Sequence, residues 1–402
     1  MRVVIAGNGI LALATAHRLS RQLTAGDSIR IVGPSHRPGS ATLAAAAMLN
    51  SFAELEAGGL RTELDRFRFE LSRRATPMWP QLLDELQGPT QPLGRGTYVI
   101  DAAPAGGRFD AILAALASFR EPHQLVSLRE IPDFSPRAPS SDARAVFLPN
   151  EGWLNPRLAM RALEHELSLC SQVRFVDGAV HRLHATGAAL HSVTLSDGSV
   201  LHGDQFLVAP GASMTGLLDR SELGLPIQRV HYGVGVSLEL QLPEAQAYCI
   251  RTPGGAPPSG VYTVPYFVEE APSEPHVLIG ATHVLSAAPV FEPPASTIDA
   301  LVEAAKAHVH SRFERSQVVR VNVGWRPTSE DGFPLLGKTS ISNLLLATGT
   351  RRDGFHLAPL LSGFLADTLL GRPVDPRFSV FAPERKPIAP QPPSFDLERG
   401  EP

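Results

Sequence analysis

Arg2-Val-Val-Ile-Ala6 is a short apolar, β-branched run that ends in Gly7-Asn8-Gly9. Directly after it the pattern becomes helical. Leu11, Ala14, Ala16 and Leu19 share one face of a helix read from Leu11 to Leu23. Ile29-Arg-Ile-Val32 then reads as a second strand. Strand, glycine turn, helix and strand within the first 32 residues imply a parallel pair joined by a right-handed crossover.

Gly7-Asn-Gly9-Ile-Leu-Ala12 fits G-x-G-x-x-G/A at this junction. The first glycine allows the tight turn, the second lets backbone approach a pyrophosphate, and the small Ala12 lets helix and strand pack closely. The helix start adds open N–H groups and partial positive charge. Gly7, Gly9, Ile10 and Leu11 are therefore candidates for holding a dinucleotide. The second strand of such a unit should end in an acid that binds ribose hydroxyls. Here that position is Gly33, followed by Pro34, Ser35, His36 and Arg37. Ser35 or a backbone group is left to take over the ribose, and an acid restored at position 33 should tighten the cofactor. Arg37 keeps a 2′-phosphate, and so NADP, open.

The rest of the composition narrows the class. A chain of 402 residues suggests two domains or one large α/β unit, and 43% hydrophobic against 19% charged residues can bury a core. Lys and Arg (36) do not outnumber Asp and Glu (40), which disfavours a nucleic-acid partner. Two cysteines, Cys170 and Cys249, build neither a disulfide framework nor a four-sulfur zinc site. His308 and His310, two apart in a helical stretch, face different ways, so no metal is expected. Asn8 and the two glycines interrupt what could otherwise pass for a signal peptide, and no apolar run is long enough to span a membrane. A soluble, cytoplasmic protein with no membrane partner is expected.

Further along, Thr62 to Leu86 reads as helical with breaks at Pro77 and Pro80, Tyr98–Ile100 as a strand, and Phe109 to Phe119 as a helix. Residues 132 to 144 read as a surface loop. Pro156 to Leu169 is a helix with Asn155 as its N-cap. Short strands follow at 173–176, 179–184, 190–195 and 206–208, with Asp197-Gly198 as a hairpin turn. From Val230 to Gly280 repeated alternation implies a mostly antiparallel sheet. Ser296–Phe313 and Phe355–Leu370 read as helices, and a proline-rich tail from 383 should be disordered.

Several strings resemble the D-amino-acid oxidase / glycine oxidase family of flavoproteins, which is also similar to sarcosine oxidases. They are Ser40-Ala-Thr-Leu-Ala-Ala-Ala-Ala-Met48, Asn150-Glu-Gly-Trp-Leu-Asn155-Pro, Phe206-Leu-Val-Ala-Pro-Gly211-Ala, Gly324-Trp-Arg326-Pro-Thr-Ser-Glu-Asp331-Gly-Phe-Pro-Leu-Leu-Gly337, and Ala347-Thr-Gly349-Thr-Arg-Arg352-Asp-Gly354-Phe-His-Leu-Ala-Pro359. They occur in the family's order across residues 1 to 370. Ala47 and Pro210 depart from it, glycine and alanine being commoner there.

The resemblance implies an α/β fold: a Rossmann-type FAD domain (1–85, 145–225 and 320–382) interrupted by an α+β substrate domain with a large mixed or antiparallel sheet (86–144 and 226–319). It implies non-covalent FAD, since Cys170 and Cys249 lie far in sequence from the C-terminal motif. Besides the residues of the glycine turn, it points to Pro34, Ser35, Ala41, Thr42, Ala46, Ala47, Met48, Val180, Gly211, Arg352, Asp353, Gly354 and Phe355 for the cofactor. Arg326 matches the arginine that binds a substrate carboxylate, and Tyr262 is a second contact to it. From the residues themselves, Arg326 could instead pair with Asp331 or Glu330, and Tyr262 could be a core tyrosine. His231 and Tyr232 are candidates for shaping the pocket. The implied reaction is hydride transfer from a small amine or amino acid to flavin N5, giving an imine and, with oxygen, hydrogen peroxide. A dehydrogenase using another acceptor, or a tailoring protein on the same fold, remains open, as does the oligomeric state.

Overall fold

The computed structural model describes residues 1–87, 93–101, 107–138, 142–252, 260–266 and 274–388. Two sheets organise them. The first has six strands in the order Leu335–Lys338, Leu344–Thr348, Gln205–Val208, Arg2–Ala6, Ser28–Val32 and Val173–Val176. All its pairings are parallel except that of the first two strands. Its central strands Arg2–Ala6, Gln205–Val208 and Leu344–Thr348 are buried on both faces, which is why they read as apolar runs. Val3, Ile5, Ile29 and Ile31 pack against the helices Ile10–Ser20, Pro156–Leu169 and Ala358–Leu369. Val4, Ala6, Val32, Phe206 and Val208 face a three-stranded sheet built from 180–202.

The second sheet has ten strands, mostly antiparallel. Val230–Gln241 lies between Gln317–Ser329 on one side and, on the other, Val284–Ser286 and His276–Gly280 in succession. Val261–Tyr266, Cys249–Thr252, Gly94–Asp101, Arg144–Trp153 and Met48–Leu49 continue the sheet. One face carries Val236, Leu238, Leu240, Val277 and Ile279, which are covered by the helix Ala295–His308. The opposite face turns toward the first sheet. Ser237 Oγ donates to Ala44 O at 2.9 Å, and Ala46 and Met48 share an apolar cluster with Tyr262, Val264 and Leu278.

Several expectations need correcting. Arg144–Trp153 and Gln317–Ser329 hydrogen-bond within the large sheet, so 145–153 and 320–329 run with it rather than with the nucleotide sheet. Gln317–Ser329, which carries Arg326, is one 13-residue strand. A bulge opposite Glu239 and Leu240 breaks its alternation, which hid its length in the sequence. Of the tail, residues 383–388 are held in place. Arg385 pairs with Asp331 at 2.8 Å, and Ile388 N donates to the same carboxylate. Residues 389–402 lie outside the described residues.

Candidate active site

The parallel strands end together at the glycine turn. Gly7 N donates to Val32 O at 2.7 Å, and φ at Gly7 is 123°. A Cβ there would lie 2.2 Å from Ala209 O, so only glycine lets the two strands converge. The helix Ile10–Ser20 starts with no side-chain cap from Gly9 and no acid in its first turn. Its first N–H, on Ile10, reaches Thr42 Oγ1 at 3.3 Å. Ile10 and Leu11 are buried, so they offer backbone rather than side chains. An N–H-rich, acid-free helix start beside a glycine cradle fits the diphosphate of a dinucleotide.

The 34–48 segment lies along this edge. Asn8 Nδ2 donates to Pro34 O (2.9 Å), and Ser35 N donates to Asp177 Oδ1 (2.6 Å). Arg37 is tied to Glu164 on the Pro156–Leu169 helix, so it is engaged away from any 2′-phosphate. Ala41 and Ala44 sit under Gly324, whose Cβ would be 2.8 Å from Ala44 Cβ. Ala46 and Met48 face the large sheet. Ala47 adopts φ 46°, a left-handed conformation that explains why glycine is commoner there. Val180 opens the strand just beyond Asp177, and Gly211 O accepts from Thr348 Oγ1.

The 349–357 loop closes the other side. Arg351 N donates to Pro327 O (2.9 Å), joining the loop to the strand of Arg326. Two expected cofactor residues have their side chains spoken for. Asp353 is clamped by Arg68 (2.6 and 3.0 Å), which with its other partners outweighs burial and holds the carboxyl below its usual range. Phe355 stacks on Trp79 in the core at 4.8 Å. Their backbones, with that of Gly354, can serve a ligand. His356 lies against the Thr76 and Ser72 hydroxyls, and burial pushes it down to about 4, so it is neutral.

On the face of the large sheet that looks toward this loop, register aligns Arg251, Tyr262, Gly280 and Ser237 in one row. Gly233 and Gly235 lie on the same face of the next stretch, opposite Arg326 and Gly324. A Cβ on Gly235 would lie 2.3 Å from the Arg326 guanidinium, and one on Gly280 2.5 Å from the Tyr262 hydroxyl. These glycines make room for the two side chains that the sequence singled out. Arg326 Nη1 donates to Thr282 O (2.9 Å) and toward His283 Nδ1 (3.3 Å). Among the described residues no carboxylate lies within ion-pair distance of Arg326. Asp331, its suspected structural partner, is taken by Arg385 and Gln228, and Glu330 is exposed.

Electrostatics follow from this crowding. Burial lowers Arg326 to about 10; Tyr262 opposes the shift, while Arg352 and Arg351 add to it. Burial also lowers Arg251 to about 10, although it is paired with Glu54. Burial raises Tyr262, which therefore keeps its proton as a hydrogen-bond donor. His283 falls to about 3 through burial and the neighbouring arginines, so it stands as a neutral ring beside Arg326. Arg251 is matched by Glu54, whereas Arg326 has no carboxylate within ion-pair distance among the described residues, which suits a carboxylate ligand.

Arg251, His283 and Asn8 escaped the sequence reading. Gly233 and Gly235 inside a strand were a legible sign of close approach, whereas nothing marked the other three. Tyr232 lies on the opposite face, edge-on to Trp325 at 5.6 Å, and does not look into the site. Cys249 is far from the C-terminal motif in sequence but sits on the site-facing side, with Sγ 3.7 Å from Met48 Sδ. Burial pushes its thiol up to about 12, so it stays protonated and unreactive. Among the described residues no cluster of metal-ligating side chains occurs, and no helix is long and apolar enough to cross a membrane.

The model of the DAO family, FAD dependent oxidoreductase, matches residues 2–368. Glycine oxidase from Pseudomonas aeruginosa is 27% identical over 385 residues, which cover 92% of this chain and 95% of that protein. The chain matches only 34% of the length of the tRNA 5-methylaminomethyl-2-thiouridine biosynthesis bifunctional protein of Idiomarina loihiensis (26% identical), and 43% of a D-amino acid dehydrogenase of Methylobacterium radiotolerans (28%). Among solved structures, glycine oxidase from Geobacillus kaustophilus superposes with a TM-score of 0.79 at 21% identity, covering 96% of this chain and 99% of that one. Iminodiacetate oxidase from Chelativorans sp. superposes at 0.78 and 21%, covering 95% and 99%. These likenesses agree with the two-sheet architecture, including a Rossmann-type unit.

Proposed function

The chain belongs to the DAO family of FAD-dependent oxidoreductases, and we propose that it oxidises the C–N bond of a small amino acid or carboxylated amine. The observation that carries this reading is Arg326. It is a guanidinium held on a glycine-cleared sheet face, with no acid partner among the described residues. Its planar fork suits two parallel hydrogen bonds to a carboxylate. Tyr262, kept protonated by burial, adds a donor from the neighbouring strand. The neutral His283 adds no charge to compete with the substrate amine. Arg351, Arg352 and the N–H groups of the 349–354 loop favour negative charge on the ligand they face. FAD, when bound, supplies the acceptor for the hydride that leaves the substrate α-carbon. The resulting imine hydrolyses in water, and oxygen takes the electrons to give hydrogen peroxide. Alignment and a carboxylate anchor serve such a reaction better than a strong base, and no acid–base residue is assigned.

The match to glycine oxidase along nearly the whole chain supports an oxidase. The match to a D-amino acid dehydrogenase favours a second reading, in which another acceptor replaces oxygen. A panel of amino acids and secondary amines, followed by peroxide formation in air and by dye reduction without oxygen, separates the two. If no carboxylated amine bleaches the flavin anaerobically, both fail. Acid precipitation should leave a colourless pellet, because the one cysteine on the site-facing sheet is protonated; a yellow pellet would show a covalent flavin.

A further inference from the structure

The missing ribose acid has a structural reason. Gly33 holds a backbone conformation outside the left-handed region, so the chain path does not demand glycine there. What forbids a side chain is Asn8. A Cβ on Gly33 would lie 2.2 Å from Asn8 Cγ, 2.5 Å from its Oδ1 and 2.6 Å from its Cβ. Because the Asn8 Cβ is itself in the way, no rotamer of Asn8 clears the space. Side chains at positions 8 and 33 exclude one another, and an acid at 33 cannot simply be restored.

The Asn8 side chain is also oriented. Its Nδ2 donates to Pro34 O at 2.9 Å, which pins the carboxamide across the end of the second strand. Oδ1 is left on the other side of the amide, an acceptor close to where the stem of an acid at 33 would begin. We infer that Asn8 holds the adenosine ribose of FAD: the acceptor has moved from the end of the second strand to the loop after the first. The ribose hydroxyls donate to Oδ1, and a neutral acceptor replaces a charged one beside the diphosphate. The rival is Asp177, at the end of the neighbouring strand Val173–Val176, whose Oδ1 accepts from Ser35 N at 2.6 Å.

Apoprotein titrated with FAD, read by flavin fluorescence, tests this without any turnover. ADP as competitor probes the adenosine-diphosphate half without the flavin. Asn8→Leu keeps the bulk but removes the acceptor, and should weaken FAD and ADP by about tenfold, the worth of one hydrogen bond. Gly33→Glu should also weaken binding, because its Cβ meets Asn8. The double variant Asn8→Gly/Gly33→Glu vacates the space and should bind FAD more tightly than Gly33→Glu alone. Unchanged affinity in Asn8→Leu, or a double variant no better than Gly33→Glu, would overturn the assignment. So would a larger loss in Asp177→Ala than in Asn8→Leu, which would give the ribose to Asp177. If Asn8→Leu fails to fold, the comparison of Gly33→Glu with the double variant decides alone.

Discussion

The two halves of the site recognise anions by different means. At the end of the parallel sheet the work falls to backbone: Gly7 allows close approach, and the uncapped helix start at Ile10 presents N–H groups without any nearby acid. On the antiparallel sheet it falls to side chains, with Arg251 buried and Arg326 and Tyr262 half-buried beside glycines that leave the latter two space. Backbone recognition suits an invariant group such as a diphosphate and tolerates change in side chains. Side-chain recognition can be retuned one residue at a time, but it leaves buried charge exposed to the loss of a single partner.

The sharpest test of that contrast is Arg326→Ala. Stranding a buried carboxylate costs about 3–5 kcal/mol, or roughly two to three and a half decades in kcat/KM. Arg326→Lys should restore only part, since an ammonium cannot make the paired bonds. FAD content and melting temperature should stay near wild type. Asp331→Ala should do the reverse, lowering the melting temperature by releasing Arg385 and the 383–388 segment. A melting loss in Arg326→Ala with substrate affinity intact would remove the carboxylate role.

Next in size is a pH effect under the 349–357 loop. His356 is neutral in the folded protein down to about pH 4, while unfolded histidine titrates near 6.5. Its folded value is depressed, so its contribution is fully present above 6.5 and is lost as pH falls toward 4. The loss is about 3 kcal/mol. Melting profiles between pH 7 and 4 should be flatter for His356→Gln than for wild type; parallel profiles would refute the assignment. Tyr262→Phe comes third. Losing one donor to a charged acceptor costs about 1.5–3 kcal/mol, read in KM for carboxylated amines with FAD binding unchanged. An unaltered KM would return Tyr262 to the core. The smallest change is Ala47→Gly, which should stabilise the fold by up to about 1 kcal/mol by relieving the left-handed backbone. Denaturant unfolding would measure it, and a destabilised variant would show that the strain is offset by entropy.

Much of this was legible beforehand because local chemistry was strong. The Pro156–Leu169 helix, its Asn155 cap and the Val173–Val176 strand stand where the residue pattern put them. Arg326 and Tyr262 were singled out through their motif and strand, and the sheet brings them to one face. What was hidden is long-range. Arg251 reaches the site only because Cys249–Thr252 pairs with Val261–Tyr266, a register no local pattern reveals. Asp353 and Phe355 read as ligand residues until Arg68 and Trp79, almost three hundred positions away, claimed their side chains. Gly33 looked like a lost function, and the Asn8 side chain that fills its space was just one more variable residue of a glycine motif.

The order of the six parallel-sheet strands also has a consequence in time. Arg2–Ala6 is flanked by Ser28–Val32 on one side and by Gln205–Val208 on the other. On a translating ribosome the first neighbour emerges almost at once, but the second follows after roughly 10 to 40 seconds at ordinary elongation rates. Throughout that interval one edge of the nascent strand carries unpaired amides and carbonyls, and the apolar faces of its unit lack their cover. The cradle for the diphosphate is thus among the first parts of the chain to be made, yet it is finished only when half the chain has followed. Newborn molecules stalled before residue 208 should be the ones that need chaperones most.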